Sequence, residues 1–315
     1  MYWIGAVMIR KRICLVLAGI FLLCATVFPS AADEPIESTL PERYMTECPE
    51  QGTVTTHRYK GREEINVWTP YGYSEHRLYE IVLLMHGGGG SMYSWLTKER
   101  ELFDCIFEGR DVFDWMAYEK VTVPFIVITL NNKPDYPEIM VRDIRDALLF
   151  VAARYSVYPK ATTESLIENR DHITIGGLSR GSILTHWFLS ITPEYAANYI
   201  CMSAAGPYKD IPAALEKKQV HIKKLFAAAG VADEGYYSMT KTSYEFLKDY
   251  ADESLYLEYI YGHSWHVWFP GVYEALKFIL PEYSTDYEIR CLMLYRLKSK
   301  AAPLPCLLNR RIRIR

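Results

Sequence analysis

The chain has 315 residues, half of them apolar, and a formal net charge of −3. There is enough apolar material for a sizeable core, and the weakly acidic balance excludes the basic footprint of a nucleic-acid-binding protein. Removing the first 32 residues takes away three basic and no acidic residues, which leaves 32 basic residues against 38 acidic ones. The 25 tyrosines and 7 tryptophans suit recognition of sugar or phenolic rings as well as core packing.

The N-terminal residues 1–32 are predicted to be a secretory signal peptide. Three basic residues at 10–12 precede an apolar run over 13–28, and Ser30, Ala31 and Ala32 place small residues before a cleavage site at Asp33. A secreted, extracellular protein is therefore expected. The apolar run is slightly long for such a peptide, so an uncleaved membrane anchor is the alternative.

The rest of the chain divides into three predicted segments. Residues 33–51 are polar and are predicted to form a loose lead-in, and residues 52–283 form one α/β domain of ordinary size. Residues 284–315 form a basic tail, with eight basic and no acidic residues after position 288. The tail is expected to be frayed, and attachment to an anionic surface is the alternative.

Five cysteines lie outside the leader: Cys48, Cys105, Cys201, Cys291 and Cys306. An odd number in an exported chain leaves at least one thiol unpaired or intermolecular, and no disulfide can be assigned. Cys201 stands in an apolar run and is predicted to be a packed core thiol. No Cys or His spacing indicates a metal site, so no metal and no cofactor is expected.

The hydrophobic pattern alternates between strands and helices after an initial antiparallel pair. The predicted strands are 53–59, 64–68, 81–85, 123–130, 173–175, 199–203, 224–229 and 255–261. The predicted helices are 99–119, 139–155, 182–191, 243–250 and 272–279. Alternation of this kind predicts a mostly parallel central sheet with helices on both faces, the α/β-hydrolase architecture.

The pentapeptide Gly177-Leu178-Ser179-Arg180-Gly181 predicts a nucleophilic serine. It follows a predicted strand and precedes a predicted helix, so Ser179 would stand on a sharp turn with its hydroxyl exposed above the sheet. The helix N-terminus beneath it favours developing negative charge. A glycine-rich turn without chemistry is the alternative.

Four consecutive glycines after His86 predict an oxyanion loop. In α/β-hydrolases an amide of this loop acts together with the amide that follows the nucleophile, so the backbone N–H groups of Gly88 and Arg180 are the predicted donors. His86 itself is predicted to support the loop. A flexible turn or a phosphate cradle is the alternative, but the Gly-Lys-Ser/Thr spacing of a phosphate cradle is missing.

Two further residues complete a triad in the chain order of an α/β-hydrolase, serine first, then acid, then histidine. His263 follows a predicted strand and a glycine, where it can reach the serine hydroxyl as a general base; His266 is its competitor. Asp233 follows the strand at 224–229 and would orient the imidazole, with Glu234 and Asp252 as alternatives.

With these residues placed, the chain resembles the putative-esterase family that contains feruloyl and acetylxylan esterases, carbohydrate esterase family one. The likeness runs from Gly52 to Pro281 and is densest over 155–182, YSVYPKATTESLIENRDHITIGGLSRGS. The segments LLMHGGGGS, AAGVADEG and GHSWHVWFPGVYEAL are similar to the oxyanion, acid and histidine loops of that family. The resemblance gives Ser179, Asp233 and His263 the triad roles. It also implies hydrolysis of feruloyl or acetyl esters on cell-wall xylan without a cofactor.

The sequence thus predicts a serine carboxylic ester hydrolase acting on an ester-decorated carbohydrate or a small aromatic ester. Four aromatic residues near the predicted loops are candidates for stacking on a substrate ring: Tyr93, Trp95, Trp265 and Trp268. A siderophore or small-molecule thioester hydrolase and a catalytically silent carbohydrate-binding relative are the alternatives. No nucleic acid is expected as a partner, and a membrane only if the leader is uncleaved.

Overall fold

The computed structural model describes residues 34–61, 63–97, 109–132 and 136–287, together with 289 and 293. The predicted signal peptide and nearly all of the predicted basic tail lie outside the described residues, as does the first part of the helix predicted over 99–119. Within the described residues, no helix is both long and apolar enough to cross a membrane.

Eight strands form a single sheet in the order β1-β2-β4-β3-β5-β6-β7-β8. Strands β1 and β2 pair antiparallel, as do β2 and β4, and every other neighbouring pair is parallel. The strands are β1 Thr53–Lys60, β2 Glu63–Thr69, β3 Glu80–Met85, β4 Phe125–Leu130, β5 Ile173–Leu178, β6 Asn198–Met202, β7 Ile222–Gly230 and β8 Ala251–Tyr259. All eight predicted strands are therefore present, and the parallel part carries the carboxyl ends of β5 to β8 at one edge.

In the described part of the chain, seven α-helices connect or cover these strands. They are α1 Gly109–Tyr118, α2 Pro137–Ala152, α3 Thr163–Glu168, α4 Arg180–Ile191, α5 Ile211–Lys218, α6 Tyr237–Leu247 and α7 Trp265–Ile279. Short 3-10 helices are Glu42–Met45, Arg170–His172, Pro193–Tyr195, Tyr208–Asp210 and Lys248–Tyr250.

The sheet separates two apolar cores because successive side chains of a strand point to opposite faces. Ile81, Leu83 and Met85 of β3 belong to one core, with residues of α2, α4 and α5, whereas Val82 and Leu84 belong to the other, with residues of α1 and α7. Every residue of β3 is buried. This explains why the central strands appear in the sequence as continuous apolar runs, and it confirms the α/β-hydrolase architecture.

Four helices differ from the sequence prediction, and one of them, α6, begins at Tyr237 rather than at residue 243. Helices α3 and α5 were not predicted. Helix α3 is short and begins after Thr162, whose hydroxyl accepts a hydrogen bond from the Ser165 N–H at 3.2 Å. Helix α7 begins at Trp265 rather than at residue 272, with Pro270 inside it. Because a proline normally marks a helix boundary, the sequence predicts a helix only after Pro270 and misses its first two turns.

The segment predicted as a loose lead-in is instead packed against the domain. Ile36 extends the sheet beside β8, donating its N–H to the Glu258 carbonyl at 2.8 Å and accepting from Ile260 at 3.0 Å. Tyr44 is fully buried, and its hydroxyl donates to Glu119 at 2.8 Å. A few apolar residues, with one hydrogen-bonded tyrosine, anchor a segment that is otherwise polar.

A buried histidine in helix α4 makes the free energy of unfolding depend on pH. His186 is fully buried in α4, and burial lowers its pKa to about 4. Its Nδ1 lies 2.8 Å from the Ser182 carbonyl, and its Nε2 has no hydrogen-bond partner among the described residues. Because the unfolded chain binds this proton below pH 6.5 and the folded chain does so only near pH 4, acidification over this window favours unfolding. We expect a loss of about 3 kcal/mol from this residue alone.

The measurement is urea unfolding at pH 7 and at pH 4, compared between the natural chain and His186→Leu. The variant should lose about 3 kcal/mol less of its unfolding free energy between the two pH values. His76→Gln, at an exposed histidine, is the matched control and should keep the pH dependence of the natural chain. An equal pH dependence in all three proteins would contradict the assignment.

Candidate active site

Ser179 occupies a sharp turn between strand β5 and helix α4. Its backbone has φ 51° and ψ −117°, a left-handed combination that L-residues rarely adopt. The Ser179 N–H donates to the Met202 carbonyl at the end of the neighbouring strand β6, at 2.8 Å. The strained turn holds the half-buried serine at the carboxyl edge of the parallel strands, which is where the sequence predicts the nucleophile.

The two glycines of the pentapeptide are required by close backbone contacts. A Cβ atom on Gly177 would lie 2.7 Å from the Met85 carbonyl oxygen, and one on Gly181 would lie 2.3 Å from the same atom. The turn therefore packs directly against the end of strand β3. Any side chain at either position would push the nucleophile turn away from the loop that follows β3.

Asp233 and His263 form a hydrogen-bonded pair at the ends of strands β7 and β8. His263 Nδ1 lies 2.6 Å from Asp233 Oδ2, and the aspartate is 4% exposed. The two loops are in backbone contact, because the Ala232 N–H donates to the Tyr261 carbonyl at 3.1 Å. With Nδ1–H donating to the carboxylate, Nε2 of the imidazole keeps its lone pair for a proton.

The residues that competed for these roles are placed elsewhere. His266 is exposed and stacks on Tyr261 at 4.9 Å, rather than contacting Asp233. Glu234 is exposed, and Asp252 pairs with His221 at 3.0 Å at the start of β8. The structure therefore joins Asp233 with His263, the pair favoured from the sequence.

Aromatic and polar contacts connect the histidine to the serine side of the site. The Trp268 ring stands edge-on to the His263 ring at 5.0 Å, and its indole N–H donates to Ser203 Oγ at 3.0 Å. Ser203 follows Met202, whose carbonyl receives the Ser179 N–H. Trp268 and Ser203 thus brace the histidine loop against the end of β6, next to the nucleophile turn.

The glycine loop after β3 lies against the nucleophile turn. A Cβ atom on Gly87 would be 3.4 Å from the Ser179 Cβ, which shows how closely the loop approaches the serine. His86 fixes this loop: its Nε2 accepts the Asn132 N–H at 3.1 Å, so its Nδ1 carries the proton and donates to the Gly87 carbonyl at 2.7 Å. The amide of Asn132 in turn donates to the His86 carbonyl. His86 therefore supports the loop as predicted, while the oxyanion role of the Gly88 and Arg180 amides stays a prediction.

Two of the four aromatic substrate candidates are core residues, which corrects the sequence prediction. Trp95 is fully buried, with its indole N–H donating to the Met85 carbonyl at 3.2 Å, and Trp268 is 2% exposed. A ring without an exposed face cannot stack on a sugar or a phenolic ring. Tyr93 and Trp265 are half-buried and remain candidates.

Three residues of the site were missed from the sequence. Tyr236 is 36% exposed, and its ring lies 4.7 Å from the His263 ring at an interplanar angle of 33°. Asn132 and Ser203 act through the contacts described above. Only Tyr236 carried a usable signal, since it stands three residues after the predicted acid in the same loop.

The sheet order, the strained serine turn and the acid–histidine pair at the ends of β7 and β8 are those of the α/β-hydrolase fold. No family model matches the sequence. A sequence relative is endo-1,4-beta-xylanase Y of Acetivibrio thermocellus, 26% identical over 209 residues that make up 64% of this chain. The chain spans only 18% of the length of that relative.

Solved structures with the same fold include several ester hydrolases. The feruloyl esterase module of Clostridium thermocellum, solved as a serine-to-alanine mutant complexed with sinapinate, superposes with a TM-score of 0.67 and 22% identity, covering 79% of this chain and 95% of that one. A ferulic acid esterase from Anaeromyces mucronatus gives 0.57 and 16%, covering 78% and 96%. A fluorophosphonate-binding serine hydrolase of Staphylococcus aureus gives 0.56 and 14%, covering 73% and 98%.

Proposed function

We propose that this protein is a serine carboxylic ester hydrolase that removes feruloyl or acetyl groups from plant cell-wall polysaccharide. The observation that carries the proposal is the 2.6 Å contact between His263 and the buried Asp233, at the same sheet edge as the strained Ser179 turn. A chain that only binds carbohydrate needs neither the strained serine nor an oriented imidazole.

The reaction proceeds through an acyl-enzyme. Ser179 Oγ attacks the ester carbonyl carbon while His263 Nε2 accepts the hydroxyl proton, and the carbonyl electron pair moves to oxygen. The amides of Gly88 and Arg180 hold the resulting oxyanion. Collapse expels the alcohol oxygen, which takes the proton from His263. Water, deprotonated by the same histidine, then attacks the acyl-serine and releases the acid and the free enzyme.

The choice of substrate rests on two kinds of support. The relatives named above include feruloyl esterases and a xylanase, which connects the fold with cell-wall esters in those proteins. In this chain, Tyr93, Trp265 and Tyr236 offer partly exposed rings beside the glycine loop and the histidine. Such rings stack well on a phenolic acyl group or on a sugar.

The test is hydrolysis of methyl ferulate and of p-nitrophenyl acetate by the purified protein, followed by release of ferulate from feruloylated xylan. We expect turnover of both small esters, and the preferred one identifies the acyl group. Turnover of a thioester or a siderophore ester, with none of these substrates cleaved, would favour the alternative small-molecule hydrolase. Absence of turnover together with failure to react with a fluorophosphonate would overturn the enzymatic assignment.

Export of the protein is a separate part of the proposal. We expect cleavage before Asp33, because small residues stand one and three positions ahead of it after the apolar run. N-terminal sequencing of protein recovered from the culture medium should begin at Asp33. Recovery of the intact N-terminus in the membrane fraction would instead establish the uncleaved anchor.

A further inference from the structure

The side chain of Arg180 lies over the glycine loop beside the nucleophile. Measured from the position that a Cβ atom on Gly88 would take, Nη2, Cζ and Nε of Arg180 are at 3.6, 3.7 and 3.9 Å. Because the carbon is as close as the two nitrogens that flank it, the guanidinium presents its flat face to Gly88. Its N–H donors lie in the plane of the group and therefore point past the loop, not into it.

This cation is exposed and pairs with no acidic side chain among the described residues. Arg43, by contrast, pairs with Glu119 at 2.5 Å. Arg180 directly follows Ser179. Gly87, the neighbour of Gly88, lies so close to the serine that a Cβ atom built on it would be 3.4 Å from the Ser179 Cβ. An unpaired guanidinium is thus held at the edge of the reaction centre.

We propose that the Arg180 guanidinium forms a carboxylate-binding subsite next to Ser179, which gives the enzyme a preference for esters that carry a negative charge near the scissile carbonyl. The proposal rests on the proposed esterase function and deepens it by naming the substrate class. Arginine suits this role because its planar donors match the two oxygens of a carboxylate. The face-on position beside Gly88 leaves the in-plane N–H donors of the guanidinium available to an anion.

The carboxylate could belong to either half of the ester. On the acyl side it would be the free end of a dicarboxylic half ester, and on the alcohol side it would be an acidic sugar or an aromatic acid. Both place the same chemical group within reach of Arg180. The two sources are separated by using one pair of matched esters for each side.

The experiment measures the ratio of kcat/KM for a charged ester to that for its neutral match. The acyl-side pair is mono-p-nitrophenyl succinate and p-nitrophenyl butyrate, and the alcohol-side pair is 4-acetoxybenzoate and its methyl ester. We expect Arg180→Gln to lower this ratio about tenfold for at least one pair, whereas Arg180→Lys, which keeps the charge but not the planar pair of donors, should lower it less. The ratio cancels any change that the variant causes equally in the two esters.

The matched control is Arg154→Gln, which removes one exposed positive charge from the far end of α2 and should leave the ratio of the natural chain unchanged. Raising the salt concentration should also reduce the ratio in the natural chain, since charge pairing at an exposed site is screened. A ratio that Arg180→Gln leaves unaltered for both pairs would overturn the proposal.

Binding provides a readout that does not need turnover. In the Ser179→Ala background, calorimetric titration compares the Kd values of 4-acetoxybenzoate and its methyl ester, with and without Arg180→Gln. A preference for the charged ligand that disappears in Arg180→Gln supports the subsite, whether or not the natural chain hydrolyses the esters. Absence of hydrolysis with this preference intact would count against the proposed function and not against the subsite. Equal binding of both ligands in the two proteins rejects the subsite on the alcohol side, leaving the succinate pair to decide the acyl side.

Discussion

Replacing Ser179 by alanine is expected to lower kcat for p-nitrophenyl acetate by about 10⁴- to 10⁶-fold and to abolish labelling by a fluorophosphonate. The variant keeps the backbone amides and the Asp233–His263 pair, so residual turnover would come only from oxyanion stabilisation and substrate positioning. The measurement is a steady-state assay, with intact-mass analysis after exposure to the fluorophosphonate. Retained covalent labelling in Ser179→Ala would exclude this serine as the nucleophile.

A second serine of the same helix provides the matched control. Ser190 lies in the last turn of α4, where its hydroxyl donates to the Trp187 carbonyl at 3.0 Å. At 1.5 Å per residue it stands roughly 16 Å along the helix from Ser179, so Ser190→Ala should retain full turnover and labelling. Loss of activity in both variants would indicate damage to α4 rather than removal of the nucleophile.

The strained backbone at Ser179 adds a stability readout to the same series. A residue with φ 51° and ψ −117° carries strain that glycine avoids. The free energy of unfolding, measured with denaturant, should therefore be about 1–2 kcal/mol higher for Ser179→Gly than for Ser179→Ala. Both variants lack the hydroxyl, so they separate the stability effect of the turn from catalysis.

Replacing Asp233 by asparagine is expected to lower kcat by about 10⁴-fold with little change in KM. An asparagine amide can donate to His263 Nδ1, which would place the proton of the neutral imidazole on Nε2. The ring then has no lone pair facing Ser179 and cannot accept the hydroxyl proton. Because the carboxylate is almost fully buried at 2.6 Å from Nδ1, no water replaces its role. Steady-state kinetics on p-nitrophenyl acetate measures the effect.

Glu234→Gln is the control for this substitution, because it removes the adjacent but exposed carboxylate. The variant should retain kcat within about threefold, since the charge of an exposed carboxylate is screened by solvent and salt. If Glu234→Gln were the more damaging of the two variants, the assignment of Asp233 as the orienting acid would be wrong.

Local patterns predicted most of the elements because each depends on neighbours in the sequence. The apolar run over 81–85 and the segment before the pentapeptide are short, apolar and followed by glycines, which favours buried strands, and both strands are present. The pattern fails where a local rule or a contact from a distant part of the chain overrides it. Helix α7 extends through Pro270, and the polar segment at 33–51 is held by buried Tyr44, which composition alone does not reveal.

Residue order is enough to predict the order of chemical roles along the chain. A serine between glycines, then an acid after a strand, then a histidine after the next strand allow few arrangements once the strands are parallel, because parallel strands end at the same edge. The place of His86 directly before the four glycines likewise predicts that it supports the loop. These inferences need only sequence order and residue chemistry.

Tertiary structure alone decided which of several similar residues face one another. The sequence favours Asp233 but leaves Glu234 and Asp252 open as the acid, and the contact between the β7 and β8 loops joins Asp233 to His263. Trp95, Trp265 and Trp268 are the same residue type near the same loops, but packing in the core buries Trp95 and Trp268. The sequence does not show this difference, because burial depends on elements far away in the chain. The position of the Arg180 guanidinium over Gly88 has the same origin: it depends on the approach of two loops that are about ninety residues apart in sequence and adjacent only because β3 and β5 pair in the sheet.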